Sequence, residues 1–415
     1  MKRRLFSSAA CALMVAGVCF AGCSDDDGAR PAAPDPGGSN PISAADVDSR
    51  LVDADTRFAF RLLSELTEDG VTENVFISPP SIAFALTMTL NGAGGDTYDG
   101  MAEVLEIDEL TLDEINETNA TLKAWLEQND TEVQLSIANS IWVCGGESVL
   151  PDFLERCRDY FAAEASTLNC AEPAAPGQIN DWVSEATEDK ITEIIQEIGA
   201  NTAMILVNAI YFKGTWTYQF DEAETADRLF TMPDGSQKMH PTMHQSAGLE
   251  YLWTEGFQAV RLPYGDDRMS MYVFLPHEAS SLAAFLDGLS PEAWENWMAG
   301  FGETDVDVAL PKFKLEYGVQ LNDVLKSLGM DVAFSADADF SPMLGTGGYW
   351  IGEVLHKTFV EVNEEGTEAA AATSVSIEFE SAPPAVTVDR PFFCVIRDDL
   401  TGTVLFMGAI VEPVL

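Results

Sequence analysis

The sequence predicts an α+β chain built on large, mostly antiparallel sheets. Three observations carry that prediction. Segments of helical period and segments of period two follow one another in irregular order, not as repeated strand-helix units. Two stretches read as hairpins. No segment after residue 45 is as loose in composition as the Pro, Gly and Ser-rich stretch before it, so residues 46–415 read as one folded domain.

In "VDADTRFAFRLLSEL", Phe58, Leu62, Leu63 and Leu66 recur at helical spacing. "ISPPSIAFALTMTLNGAGG" opens a second helix, with Ser78 as N-cap and Pro79 at its first position, and closes it at Asn91 and Gly92. Amphipathic helices also fit "TLDEINETNATLKAWLEQ", "PDFLERCRDYFAAEA" and "GQINDWVSEATEDKITEIIQ". Among the strands, "EVQLSIANSIWV" alternates, whereas "AMILVNAIYF" is continuously apolar and suits a strand buried on both faces. "FQAVRLPYGDDRMSMYVFLP" folds back around Gly265 and Asp266. The chain closes with a strand and a second hairpin turning at Asp398 to Gly402.

The 415 residues are 47% hydrophobic, which excludes a disordered chain and a multi-span membrane protein. A formal net charge of -46, from 68 acidic against 22 basic residues, argues against nucleic acid or anionic lipid headgroups as partners. Lys2, Arg3 and Arg4 precede an apolar run from Leu5 to Phe20 that ends in "FAGC", the pattern of an export signal. That ending resembles the lipobox of bacterial lipoproteins. The resemblance implies a signal peptide over residues 1–22, lipidation of Cys23 as the new N-terminus, and attachment to a membrane through lipid only. Residues 23–45 then read as a disordered tether. The expected location is the outer membrane or cell surface, since Ser24 is not the Asp that retains many lipoproteins at the inner membrane; a periplasm-facing orientation stays open.

Besides the lipidated Cys23, four cysteines remain in the exported chain, at 144, 157, 170 and 394. Cys144 and Cys170 each end a strand pattern. If those strands are adjacent and parallel, a disulfide between them is feasible; unpaired buried thiols are the alternative. Catalytic signatures are lacking: there is no GxSxG, Walker A loop, GxGxxG after a strand or HExxH. His240 and His244 in "HPTMH" have metal-like spacing, but Pro241 interrupts them and no acidic or Cys ligand joins. No enzyme activity, metal or cofactor is expected.

One further stretch, "EEGTEAAAATSVSIEFES" over residues 364–381, combines four alanines with strand-favouring residues. Thr367, Ala369, Ala371, Thr373, Val375, Ile377 and Phe379 form a small or apolar period-2 row. Gly366 supplies backbone freedom before it, and no Pro interrupts it up to Glu380.

Five segments together resemble the serpin family in order and along nearly the whole of residues 46–415: "NVFISPPSIAFALTMTLNGAGGDT", "ILVNAIYFKGTW", "FQAVRLPYGDDRMSMYVFLP", "HKTFVEVNEEGTEAAAAT" and "DRPFFCVIRDDLTGTVLFMGAIVEP". The resemblance implies a serpin fold of three β-sheets with eight or nine helices and an exposed reactive-centre loop. It further implies a monomer that inhibits serine, or cysteine, proteases as a suicide substrate, its partner being the target protease in a covalent acyl-enzyme complex. The hinge of the loop would be Glu364, Gly366, Thr367, Ala369, Ala370, Ala371 and Ala372. Family spacing counted from Glu364 and from Pro391 places the reactive bond between Glu380 and Ser381, which calls for a protease accepting an acidic side chain. Slippage by one residue would place it after Phe379 and point to chymotrypsin-like enzymes. Ser78, Ser81, Asn208 and His356 match the family's polar "shutter", and Trp216 the aromatic at the "breach" where insertion begins. A non-inhibitory member acting as a binding or folding-assistance module is the alternative.

Overall fold

The computed structural model describes residues 42–128, 132–366 and 383–415. In chain order the first half comprises α1 (Ser49–Leu66), β1 (Val75–Ile77), α2 (Pro79–Leu90), α3 (Gly95–Val104), α4 (Leu112–Leu126), β2 (Val133–Cys144), α5 (Pro151–Phe161), β3 (Glu164–Leu168), α6 (Ala175–Ala186) and β4 (Met204–Gly214). The hairpin-rich part comes next, with β5 (Ala226–Thr231), β6 (Gln237–Trp253), β7 (Phe257–Tyr264), β8 (Met269–Pro276), α7 (Leu282–Asp287), α8 (Pro291–Met298), β9 (Gly302–Pro311) and β10 (Phe313–Gln320). The chain ends with α9 (Asn322–Leu325), α10 (Ser341–Leu344), β11 (Glu353–Val362), β12 (Ala385–Thr387), β13 (Phe392–Asp398) and β14 (Val404–Ile410). Among the described residues, α1 to α8 are the longer helices, and α9 and α10 are four residues each.

Local chemistry accounts for the starts of several elements. Asp48 caps α1 by accepting from the Arg50 N–H, and Thr111 with Glu114 forms a capping box at α4. Every residue of α2 is buried, as its nearly unbroken apolar sequence requires of a helix with no solvent face. Ser78 stands at its N-cap, yet the Ser78 hydroxyl has no hydrogen-bond partner among the described residues.

Two predicted helices end early. The one expected over "PDFLERCRDYFAAEA" stops at Phe161, because Ala162 turns left-handed at φ 48° and the chain enters β3. The one expected over 177–196 stops at Ala186, where Glu188 and Asp189 take φ of 51° and 61°. Ile191 and Ile195, which extended the helical period in sequence, instead lie in the apolar layer against the sheet. The tertiary contact overrides the local period.

The strands form two hydrogen-bonded networks. One has five strands in the order β10-β11-β4-β2-β3; the other has nine, ordered β1-β14-β13-β8-β7-β6-β9-β12 with β5 on β6. The second and third of the three expected sheets are continuous because β6 is long. Its start pairs with β5, its middle with β9 and its end with β7. Pairing is antiparallel except at β11/β4, β12/β9 and β2/β3. The parallel β2/β3 pair brings together the cysteines whose state the sequence left open: Cys144 and Cys170 form a disulfide, and Cys157 and Cys394 are buried thiols.

A seam lies between β11 and β4. Parallel neighbours require a long connection, and this one runs from residue 214 to 353 through half of the domain. Their register runs from Glu353↔Ile205 to Phe359↔Tyr211 and stops there, although β11 continues to Val362 and β4 to Gly214. The seam is therefore zipped along its lower part and open at the top.

Candidate functional site

Three neighbouring strands place a polar residue in one row beneath the seam. Asn139 of β2 lies opposite Asn208 of β4, and Asn208 lies opposite His356 of β11. The N-terminal turn of α2 adds Ser78 and Ser81, and all five residues are buried. Asn208 is the hub. Its Nδ2 lies 2.9 Å from Ser81 O, 2.5 Å from Ser81 Oγ and 2.5 Å from Asn139 Oδ1. Its Oδ1 accepts from His356 Nδ1 at 2.5 Å, while the Ser78 backbone N–H donates to His356 Nε2 at 3.2 Å.

These contacts fix the imidazole chemistry. Nδ1 carries the proton and Nε2 accepts, so the ring is neutral. Burial reinforces this, lowering the His356 pKa to about 3. Within the cluster, the His356–Asn208 bond crosses from β11 to β4. Ser78 stays with the former and Ser81 and Asn139 with the latter. This neutral side-chain bond joins two strands that are also paired through their backbones from Glu353↔Ile205 to Phe359↔Tyr211, and breaking it strands no charge.

The open end of the seam carries a second constellation. Trp216 stacks on Tyr264, centroids 4.3 Å apart, and its Nε1 donates to Asn363 O at 2.9 Å. The Trp216 N–H donates to Glu365 O at 3.0 Å, and the Phe220 N–H to Glu364 O at 3.0 Å. Asn363 and Gly366 exchange two backbone hydrogen bonds and so close a tight turn directly above Trp216. Gly366 has φ 119°, and a Cβ there would sit 2.3 Å from Gly214 O and 2.5 Å from Trp216 N. Both neighbours are backbone, so no other residue fits without moving the turn. Gly366→Ala should therefore destabilise the protein by about 2 kcal/mol and alter Trp216 fluorescence; wild-type spectra and an unchanged unfolding midpoint would refute this tight fit.

Glu364 is anchored in the same turn. Its carboxylate accepts from Thr225 Oγ1 at 2.7 Å and from Lys312 Nζ at 2.6 Å. Burial alone would raise its pKa, but the bonds from Lys312 and Thr225 outweigh burial and hold it below the usual carboxylate value. The turn that leads out of β11 is thus bonded to the segment that follows β4 by backbone and aromatic contacts, and by its Glu364 carboxylate to Thr225 and to Lys312 between β9 and β10.

Of the residues singled out in sequence, Ser78, Ser81, Asn208 and His356 come together under the seam, and Trp216, Glu364 and Gly366 come together at its open end. Cys23, Thr367, Ala369, Ala370, Ala371, Ala372, Phe379, Glu380 and Ser381 lie outside the described residues. Sequence reasoning passed over Asn139, Thr225, Lys312 and Asn363. Asn139 offered a signal, an amide inside an otherwise apolar strand end; Lys312 offered another, one of few cations in an acidic chain. His240 and His244 serve separate partners, Lys312 O at 2.5 Å and Asp307 Oδ1 at 2.6 Å.

A profile of the family described as serpin (serine protease inhibitor) matches residues 53–413. The chain belongs to the serpin family. Its serpin relatives include the leukocyte elastase inhibitor of Xenopus laevis, 35% identical over 376 residues that cover 88% of this chain and 99% of the relative. Serpin B9 of Homo sapiens is 36% identical over 375 residues, with the same coverage of 88% and 99%. Among solved serpin structures, the thermophilic serpin tengpin in its native state superposes with a TM-score of 0.82 at 31% identity, covering 90% of this chain and 97% of that one. Human thyroxine-binding globulin in complex with thyroxine gives 0.83 at 28% identity, covering 88% and 99%.

Proposed function

We propose that this serpin inhibits serine proteases as a suicide substrate, with the segment after Gly366 as bait. The observation that carries the reading is the seam between β4 and β11. It is zipped only to Phe359 and Tyr211, and the turn after β11 crosses its open end to Gly366, which bridges to Thr215 and precedes the alternating segment in sequence. Serpin loop insertion is itself an established example of strand addition to a sheet. A strand entering this seam finds ladder partners on both sides. The small row Thr367, Ala369 and Ala371 reduces the steric cost of its first residues.

In this reading a target protease attacks the carbonyl of Glu380 and forms an acyl-enzyme. Its pocket must supply a cationic or hydrogen-bonding complement, because an unpaired buried carboxylate is costly. Insertion of roughly 14 residues at about 3.3 Å each would carry the protease on the order of 45 Å. Distortion of its oxyanion hole then stalls deacylation. Inhibition is the outcome when insertion outruns hydrolysis.

Nicking the full chain with a glutamyl endopeptidase and then heating it tests the reading. The nicked protein should unfold at a markedly higher temperature than the intact one. An equal or lower temperature would remove the inhibitory reading and favour a binding role, as the name of thyroxine-binding globulin describes for that protein. Mass spectrometry of the released fragments should place the cut after Glu380; a cut after Phe379 by a chymotrypsin-like enzyme, with an SDS-stable complex formed only there, would reassign the bond. The proposed export as a lipoprotein is checked in the same spectra, which should show a mature N-terminus at an acylated Cys23; an unmodified N-terminus at any other residue would refute it.

A further inference from the structure

The Cys144–Cys170 disulfide lies apart from the polar row and from the turn above Trp216. Cys144 ends β2 and donates its N–H to Ala203 O at the entry of β4. Cys170 lies in the short connection that leads into α6. On the outer face of the seam, Ile179 and Val183 of α6 and the subsequent Ile191 and Ile195 share one buried apolar layer. That layer includes Ile205, Val207, Ala209 and Tyr211 of β4 as well as Leu355 and Phe359 of β11. The residues that follow α6 reach both strands that must part: Lys190 Nζ lies 5.6 Å from the Tyr211 ring of β4 and 6.0 Å from the Phe359 ring of β11, so α6 and its continuation form one cover that starts on β2 and ends across the seam.

This cover is held differently at its two ends. On its C-terminal side, Ser136 Oγ of β2 donates to Ala186 O at 3.1 Å, and Lys357 of β11 donates to Glu193 O. Asn180 Oδ1 accepts the N–H groups of Ile194 and Ile195. On its N-terminal side the disulfide ties it to β2, and further along α6 Trp182 packs edge-on against Trp142 of β2 at 6.3 Å. β2 in turn is registered with β4 from Val133↔Gly214 to Val143↔Met204. The hydrogen bonds exchange on thermal timescales; the covalent tie does not.

We infer that the Cys144–Cys170 disulfide is a redox-sensitive clasp that keeps the α6 cover on the β2–β4 side of the seam and slows strand entry. The inference rests on the insertion reading above. Cys170 is half-buried and Cys144 buried, so a dithiol reductant attacks Cys170 Sγ and Cys144 leaves as a thiolate that takes up a proton. The second thiol of the reductant then resolves the mixed disulfide. Two electrons and two protons pass to the protein, and the reductant ends as its own disulfide. With the clasp open, α6 lifts on a longer leash and a strand enters sooner.

The test compares the full-length oxidised protein with the same protein in dithiothreitol and with Cys170→Ser. Amide exchange is read in the intact protein, and the rate of gaining heat resistance is read after nicking. Opening the clasp should speed exchange at Ile179 and Val183 about tenfold, leave β13 and β14 unchanged, and raise the conversion rate about threefold. Unchanged α6 exchange in both the reduced protein and the variant overturns the clasp. Faster exchange with an unchanged conversion rate overturns its control of strand entry. If nicking gives no heat resistance in any form, the inhibitory reading and the control of entry fall together, and the exchange measurement still decides the clasp.

Discussion

Asp55→Asn should unmask an acid-labile fold whose stability falls by about 1.4 kcal/mol per pH unit below pH 6.5. The cause is His356. Its folded pKa is lowered by burial from 6.5 to about 3, so as pH falls through that window the unfolded chain binds the proton first. The stability held by the neutral ring is complete above pH 6.5 and is lost progressively toward pH 3. Asp55 has the opposite sign. Full burial raises its pKa from 3.8 to about 8, so the folded state holds that proton while the unfolded chain releases it. The contribution of Asp55 is complete below pH 3.8 and is lost as pH rises through 8.

Between pH 4.5 and 6.5 the two slopes oppose each other, so Asp55 and His356 together should add almost no pH dependence to the wild type. Removing Asp55 leaves the His356 slope, a difference of about 3 kcal/mol across that window. His356→Gln leaves the Asp55 slope, and that variant should gain stability on acidification. Denaturant unfolding of the three proteins at several pH values, compared as differences, cancels the surface carboxylates common to all of them. Parallel curves for all three would show that neither buried group titrates as its environment requires.

Asn208→Ala should cost the folded protein about 3 to 6 kcal/mol. The substitution strands His356 Nδ1–H and Asn139 Oδ1 in a buried setting, removes the donor to Ser81, and leaves a small void. Each stranded polar group costs about 1 to 3 kcal/mol. Kinetically the effect should be larger on opening of the seam than on global unfolding, because the His356–Asn208 bond spans the two strands that separate. Amide exchange in β4 and β11 should rise more than in β13 and β14. A uniform rise across both sheets would mean that the cluster supports the core generally and has no particular hold on the seam.

Much of this architecture is legible in the sequence. Pro79, the two hairpins and the continuous apolar run of β4 identify their elements because each rests on short-range chemistry. Glu364, Gly366, Trp216 and the four polar residues under the seam were legible through motif resemblance, since nothing in their local spacing marks them as neighbours. The ends of α5 and α6 were misread for a definite reason. Ala162 occupies a left-handed conformation that alanine rarely adopts, and Ile191 and Ile195 keep a helical period while packing flat on a sheet formed by distant residues. Asn139 and Lys312 escaped because a lone amide or lysine acquires meaning only from its partner.

By itself the sequence determined α1, α2, α4, the starts of α5 and α6, the strands β2 and β4 and the hairpins β7/β8 and β13/β14, that the chain is a strongly acidic α+β domain, and that an alternating segment of small residues precedes its last strands. Those properties arise from side-chain period, turn chemistry and charge, which act over a few residues. Only the tertiary structure decided that β11 lies parallel to β4 with its upper end unzipped, that Asn208 bonds across that seam, and that Cys144 meets Cys170. Such facts depend on strand register between segments more than a hundred residues apart, or on two strands lying side by side, and folding sets these by burying a common core.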